Sequence, residues 1–394
     1  MTQAQAKSLF AEKLAAEKGK GTYRELIRLE GANSAVVSIG GRNMINLCSN
    51  NYLGLIDHPA LKKAAAEALE KYGVGAGSAR NIIGNTRLYE ELEQLIAEFK
   101  NEEAAVVSQS GYNCNLGAIP AIMGEGDLIF SDELNHASII DGMRQSRAEK
   151  KIYRHLDMSS LEEALKERRG SCRRAMIVTD TVFSMDGDIA PLPDMVGLAR
   201  KYEAMVYADD AHGTGILGRG GRGTVDHFGL TGQVDFTLGT LSKAIPAVGA
   251  YLSGSSEMRD WVVRNARPIL FSTSLPPAAL GAAAAAIRLL MESTQLVDRL
   301  WENTIYFKEK LRELGFSTGR SKTPIVPVIL GAEEKAVRFS QELQKKGVLA
   351  SSITFPVVPR GQARVRCIVT AGHTEDQLDQ CLDAFRTIGQ ELGV

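Results

Sequence analysis

Apolar positions along the chain follow two spacings. In Leu88–Lys100, Leu88, Leu92, Leu95, Ile96 and Phe99 recur every three or four residues and mark one face of a helix. The run that follows, AAVVSQSGYNCNLGAI, starts β-branched and then turns polar, which predicts a strand, a glycine-bearing turn and a second helix opening at about Gly111. The same order recurs. MSSLEEALKERR is expected to be a helix started by a Ser159–Glu162 capping box, RAMIVTDTVFS a strand, MVGLARKY a helix, AMVYADDAHG a strand, and VDFTLGT another strand. Alternation of this kind predicts an α/β fold whose central sheet is mostly parallel and covered by helices.

Farther on, STSLPPAALGAAAAAIRLLMES predicts a long helix capped by Ser274 and started by Pro276 and Pro277. It marks a seam. TPIVPVIL, EEKAVRFSQELQKKG, ARVRCIVT and a last helix from about Glu375 then form a smaller α+β unit. The expected division is an N-terminal helical and extended segment, 1–45, a large α/β domain, 46–285, and a smaller C-terminal domain, 286–394. No internal repeat or low-complexity segment interrupts it.

Charge narrows the function classes. The 394 residues carry 46 basic and 47 acidic side chains, a net charge of −1, so no field favours nucleic acid or an anionic membrane. The most apolar stretch, LGAAAAAIRLLM, falls short of the roughly 20 residues of a membrane span and contains Arg288. The first residues have no apolar core of a secretory leader and read as a charged amphipathic helix. Five cysteines, none in a C-x-x-C pair, argue against a disulfide framework or structural metal site and fit reduced thiols in the cytoplasm.

In an open α/β sheet, ligands bind beyond the carboxyl ends of the strands. Those places carry Gly111 and Tyr112, Ser184, Asp209 and His212, and Thr240 and Lys243. Lys243 lies in the nearly uncharged run GTLSKAIPAVGAY. Burial there lowers an amine's pKa and leaves it neutral, able to bond to an aldehyde. An acid, an imidazole and an amine at neighbouring strand ends suit pyridoxal 5′-phosphate: the lysine binds the aldehyde, the acid keeps the pyridine nitrogen protonated, and a donor meets the ring hydroxyl. His136 offers a planar ring to stack on such a cofactor, SQSGYN offers N–H groups at a helix start for its phosphate, and Thr240 and Ser242 add hydroxyls. Arg364 and Arg366 both suit a substrate carboxylate, and since they share one strand face the pattern does not choose between them. GVGAGSAR and GRGGRG mimic dinucleotide loops, but neither links a strand to a helix, and no G-x-x-x-x-G-K-[ST] occurs.

Over nearly the whole chain, CSNNYLGL, SDELNHASIIDG, TDTVFSMDGDIAPL, ADDAHGTGILGRGGRG, GTLSKA, RPILFSTS and FPVVPRGQARVR resemble the α-oxoamine synthases, fold-type I pyridoxal-phosphate enzymes that join an amino acid to an acyl-CoA. The resemblance implies that Lys243 binds the cofactor, Asp209 pairs with the pyridine nitrogen, His212 and Ser184 contact the ring oxygen, and His136 stacks on the ring. It further implies that the backbone of Gly111 and Tyr112 and the Thr240 hydroxyl hold the phosphate, joined by Ser272 and Thr273 across a homodimer interface. Arg366, rather than Arg364, then matches the carboxylate-binding arginine, with Asn50 close to the substrate. Within the family the chain looks most like the glycine C-acetyltransferases, so the expected reaction is condensation of glycine with acetyl-CoA to 2-amino-3-oxobutyrate, or its reversal. The alternative is 8-amino-7-oxononanoate synthesis from alanine and a pimeloyl thioester, with an aminotransferase or decarboxylase on the same fold ranking lower. Pro246 and Ala250 stand where the family usually has glycine, and Thr181 where it has small residues, which bears on substrate preference.

Overall fold

A computed structural model describes residues 3–19 and 26–394. Thirteen strands occur among them. β1 (Val36–Ile39) and β2 (Arg42–Asn46) form a hairpin. β3 (Ala104–Ser108), β4 (Leu128–Asp132), β5 (Glu149–Tyr153), β6 (Ala175–Asp180), β7 (Ala204–Asp209), β8 (Phe236–Ser242) and β9 (Pro246–Gly254) build the central sheet in the order β3-β9-β8-β7-β6-β4-β5. All neighbours from β8 to β5 are parallel, and β9 alone runs antiparallel to both β8 and β3. The sheet is therefore mostly parallel, as the alternation predicts.

Helices cover both faces. Successive residues of β6 divide between two cores: Met176 and Val178 join Ile119 and Ile139, whereas Ile177 joins Leu161, Leu165 and Val196. β4 and β6 are buried along their whole length, which explains why they read as continuous apolar runs. A further core packs Leu92, Ile96 and Phe99 against Ala283, Ile287 and Leu290 of the helix Pro277–Glu292.

The C-terminal part holds β10 (Ile325–Gly331), β11 (Val348–Leu349), β12 (Ser351–Ile353) and β13 (Ala363–Ile368). β10, β13 and β12 form an antiparallel sheet over a core of Phe307, Phe316, Phe339 and Phe385. Ile45 and Leu47 enter this core, and β2 pairs in parallel with β11, so β1, β2 and β11 form a separate three-stranded sheet that shares it. Position 285, the expected seam, falls in the middle of the helix Pro277–Glu292.

Three local expectations are corrected. The helix Met158–Arg168 is capped by Asp157, whose side chain accepts from the Ser160 N–H, because Asp157 directly precedes the first helical residue, Met158, in an extended conformation. Ser274 does not cap the long helix: it precedes Pro276 and Pro277, and its Oγ is buried without a partner. The helix Gln3–Gly19 forms, but its apolar residues are spread around it rather than gathered on one face, so it is not the amphipathic helix expected. Among the described residues no helix is long and apolar enough to cross a membrane.

Candidate active site

Parallel strands deliver side chains to one edge of the sheet. Asp180 at the end of β6 pairs in register with Asp209 at the end of β7, and Thr240 and Ser242 close β8. The ladder between β8 and β9 slips at Thr240–Ser242, and a short turn carrying Lys243 leads straight into β9. Pro246 opens that strand, where its missing N–H does not interrupt the ladder.

These ends surround a cavity of about 180 Å³. Of the predicted residues, Gly111, Tyr112, His136, Ser184, Asp209, His212, Thr240 and Lys243 line it. Asn50, Arg366, Ser272 and Thr273 do not. Ser110, Ser138 and Asp180 also line it, and sequence reasoning missed them.

Burial pulls the Lys243 amine below its ordinary pKa, and the carboxylates of Asp209 and Asp180 oppose that pull. No hydrogen bond or ion pair engages the amine among the described residues, so it is free to react. Asp209 is buried, with Oδ2 accepting from Asn115 Nδ2 at 2.8 Å and Oδ1 from the Ala211 N–H at 3.1 Å. Burial raises its pKa, and the Asn115 hydrogen bond and Lys243 work the other way. Asp180 accepts from the His136 N–H at 2.6 Å, and burial followed by repulsion from Asp209 drives its pKa well up. Of this carboxylate pair, Asp180 is pushed up the more strongly, because it lacks the side-chain amide donor that Asp209 has in Asn115.

His212 is buried and neutral, its pKa held well down by burial and then by Lys243. Its Nδ1 lies 2.8 Å from the hydroxyl of Tyr52. Burial raises the Tyr52 phenol, so it stays protonated and shares a hydrogen bond with His212 Nδ1 that holds the imidazole in place. The helix Gly111–Ile122 begins at the cavity with Ser110 as its cap, and its first N–H groups form a ready anion site.

Depth separates the two arginines. Arg364 is 1% exposed and gives its donors to Asp186, Met185 O and Gln362 O. Arg366 is half-buried, bonded through Nε to Ser184 O at 2.6 Å and approaching Asn50 Oδ1 at 3.4 Å, with donors left over. The loop 183–188 carrying Ser184 is held from the opposite side by His155, which bridges Asp132 and Asp188.

Behind Asp209, Asp210 is buried in an ion pair with Lys100 at 3.0 Å. Thr181 Oγ1 donates to Asp210 at 2.8 Å, which gives a role to the unexpected threonine. A Cβ on Gly213 would overlap Asp210 and Thr224, so this tight turn demands glycine. Ser272 and Thr273 lie at the surface near the segment 73–84, where Thr273 bridges Ala79.

A reactive amine, a buried carboxylate, a neutral imidazole and a helix start, all at one cavity, fit the aldehyde, pyridine nitrogen, ring oxygen and phosphate of pyridoxal phosphate. The family model for class I and II aminotransferases matches residues 42–385. Proteins named 8-amino-7-oxononanoate synthase from Alkaliphilus oremlandii and Alkaliphilus metalliredigens are each 58% identical, the first over 98% of both chains and the second over 97% of this chain and 96% of its own. A solved structure of SPT with PLP superposes with a TM-score of 0.93 at 33% identity, covering 100% of both chains.

The fold and these likenesses define a fold-type I transferase that uses pyridoxal 5′-phosphate. More narrowly, the chain belongs to the α-oxoamine synthase family.

The expected condensation of glycine with acetyl-CoA is overturned, because relatives at 55–58% identity over nearly the whole chain carry the name of the alternative. The motifs that suggested it surround the cofactor, which every branch of the family shares, and do not report on the acyl chain.

Proposed function

We propose that the protein condenses alanine with a pimeloyl thioester to give 8-amino-7-oxononanoate, carbon dioxide and the free thiol. The observation that carries this reading is the 58% identity, over 98% of both chains, to a relative of that name. In balance, a bond forms between alanine Cα and the acyl carbon and the C–S bond breaks. The sulfur leaves as a protonated thiol, the Cα–carboxylate bond breaks as carbon dioxide, and a proton takes its place on Cα.

Pyridoxal phosphate, when bound, supplies an electron sink for the charge left on Cα. The predicted site residues divide the tasks of this reading among them. Lys243 would hold the cofactor aldehyde, and its amine, lowered in pKa by burial, would be the base for the Cα proton. Asp209 keeps the pyridine nitrogen protonated. His212 and Ser184 would meet the ring oxygen, and His136 would face the ring. The N–H groups of Gly111 and Tyr112 and the Thr240 hydroxyl hold the phosphate. Arg366 grips the alanine carboxylate, with Asn50 beside it.

The enzyme acts as a cytoplasmic homodimer, with Ser272 of the partner subunit and Thr273 of the partner subunit completing the phosphate site. Exposed Val74, Ile82, Ile83 and Phe271 support an interface there, since a group of large apolar side chains is costly to leave in water.

Thiol and carbon dioxide release from acyl-CoAs of increasing length, crossed with alanine, glycine and serine, tests the reading. Alanine with pimeloyl-CoA should release both in equal amounts and turn over fastest. Faster turnover with glycine and a short acyl chain, or turnover without any thioester, would overturn it.

A further inference from the structure

Asn115, on the second turn of the helix Gly111–Ile122, has no exposed surface, and its amide is fully engaged. Its Oδ1 accepts from the Tyr207 hydroxyl at 2.9 Å, and its Nδ2 donates to Asp209 Oδ2 at 2.8 Å and to Ser138 Oγ at 2.9 Å. The orientation of the amide follows from chemistry: an ionised carboxylate only accepts, so the nitrogen must face Asp209. Both Nδ2 protons are then committed.

The consequence passes to His136. Ser138 Oγ, already accepting from Asn115, directs its own proton to His136 Nδ1 at 2.7 Å, and the Ser138 backbone N–H points at the same atom at 3.3 Å. With two donors aimed at Nδ1, that nitrogen is an acceptor, and a neutral imidazole carries its proton on Nε2. Partial burial holds His136 below its ordinary pKa, which favours the neutral ring. Nε2 has no protein partner among the described residues, and His136 lines the cavity.

We propose that Asn115 is a positioning residue that sets two groups at once: it keeps Asp209 ionised and oriented, and through Ser138 it keeps the His136 proton on Nε2. His136 thereby presents its Nε2–H to the cavity. This rests on the reading in which Asp209 and His136 face the cofactor. Because one amide serves both arms, they separate under mutation: Asn115→Leu removes both, and Ser138→Ala removes only the second.

The test uses the purified full-length protein stripped of cofactor and titrated with pyridoxal phosphate, followed by its visible absorbance across pH and by steady-state kinetics. Asn115→Leu, and Asn115→Ala should the leucine variant not fold by circular dichroism, should lower cofactor affinity at least tenfold and move the pH at which the absorbance changes. Ser138→Ala should keep affinity within twofold of wild type, lower kcat at least fivefold and displace the acidic limb of the kcat profile. Wild-type affinity and absorbance in the Asn115 variants would overturn the first arm. A wild-type kcat profile in Ser138→Ala would overturn the second. The affinity measurement uses no substrate, so it is independent of which thioester the enzyme takes; a wild-type protein that binds no pyridoxal phosphate overturns the functional reading together with this inference.

Discussion

Raising the pH should weaken the clamp behind the Ser184 loop. The side chain of His155, 9% exposed, places Nδ1 2.9 Å from Asp132 and Nε2 3.1 Å from Asp188, with its ring edge-on to Phe183. Both nitrogens face acceptors, so the ring is held as imidazolium. Burial pulls its pKa down, but the hydrogen bonds and charges of Asp132 and Asp188 outweigh burial and raise it from 6.5 to about 9. Glu133, which accepts from the His155 N–H, adds a further negative charge on this side. A pKa raised by folding gives stability that is fully present below about pH 6.5 and disappears as pH rises through about 9. A displacement of that size is worth at most about 3 kcal/mol, and nearby solvent reduces it to about 1–2 kcal/mol. The assay is denaturant unfolding of wild type and His155→Gln between pH 6.5 and 10. Lys308, whose pKa burial lowers to about 8, titrates in the same range but does so in both proteins. The wild-type advantage over the variant should therefore shrink by about 1–2 kcal/mol between pH 7 and 10. A constant difference across that range would refute the buried imidazolium.

Other perturbations probe the frame around the site. Lys100→Met leaves Asp210 buried without its cation and should cost about 3–5 kcal/mol in denaturant unfolding; a loss below about 1 kcal/mol would show that the pair adds little. Gly142→Ala would set a Cβ 2.5 Å from the Asn115 carbonyl oxygen, and the forced shift should cost about 1–3 kcal/mol, read as a lowered Tm; an unchanged Tm would mean that the two helices separate freely. Arg366→Ala should raise KM for the amino acid at least tenfold with little change in Tm, whereas Arg364→Ala, which strips donors from Asp186 and Met185 O, should lower stability by about 1–3 kcal/mol. Equal KM effects from both substitutions would contradict the division between them.

The sheet and the residues at its strand ends were readable because both follow local rules. Alternating periods mark strands and helices, and polar residues just past apolar runs fall at the ligand edge of a parallel sheet. The residues that hold those groups in place were not readable. Tyr52 reaches His212 across 160 positions, and Asn115 reaches Asp209 across 94, so no local pattern announces either contact. The pairing of β2 with β11 is more distant still and brings Ile45 and Leu47 into the C-terminal core. Arg364 and Arg366 share a strand face, and burial beside Asp186, a tertiary fact, is what tells them apart. Asp157 prevailed over Ser159 as a cap through backbone conformation, which composition does not reveal. Acyl preference escaped the motifs because they encircle the cofactor.

Lys243 is the attachment point on which the proposed chemistry depends. Borohydride reduction of the loaded wild-type protein, followed by proteolysis and mass spectrometry, should place the whole phosphopyridoxyl label on the peptide containing Lys243. A label on another lysine, with Lys243 unmodified, would contradict it.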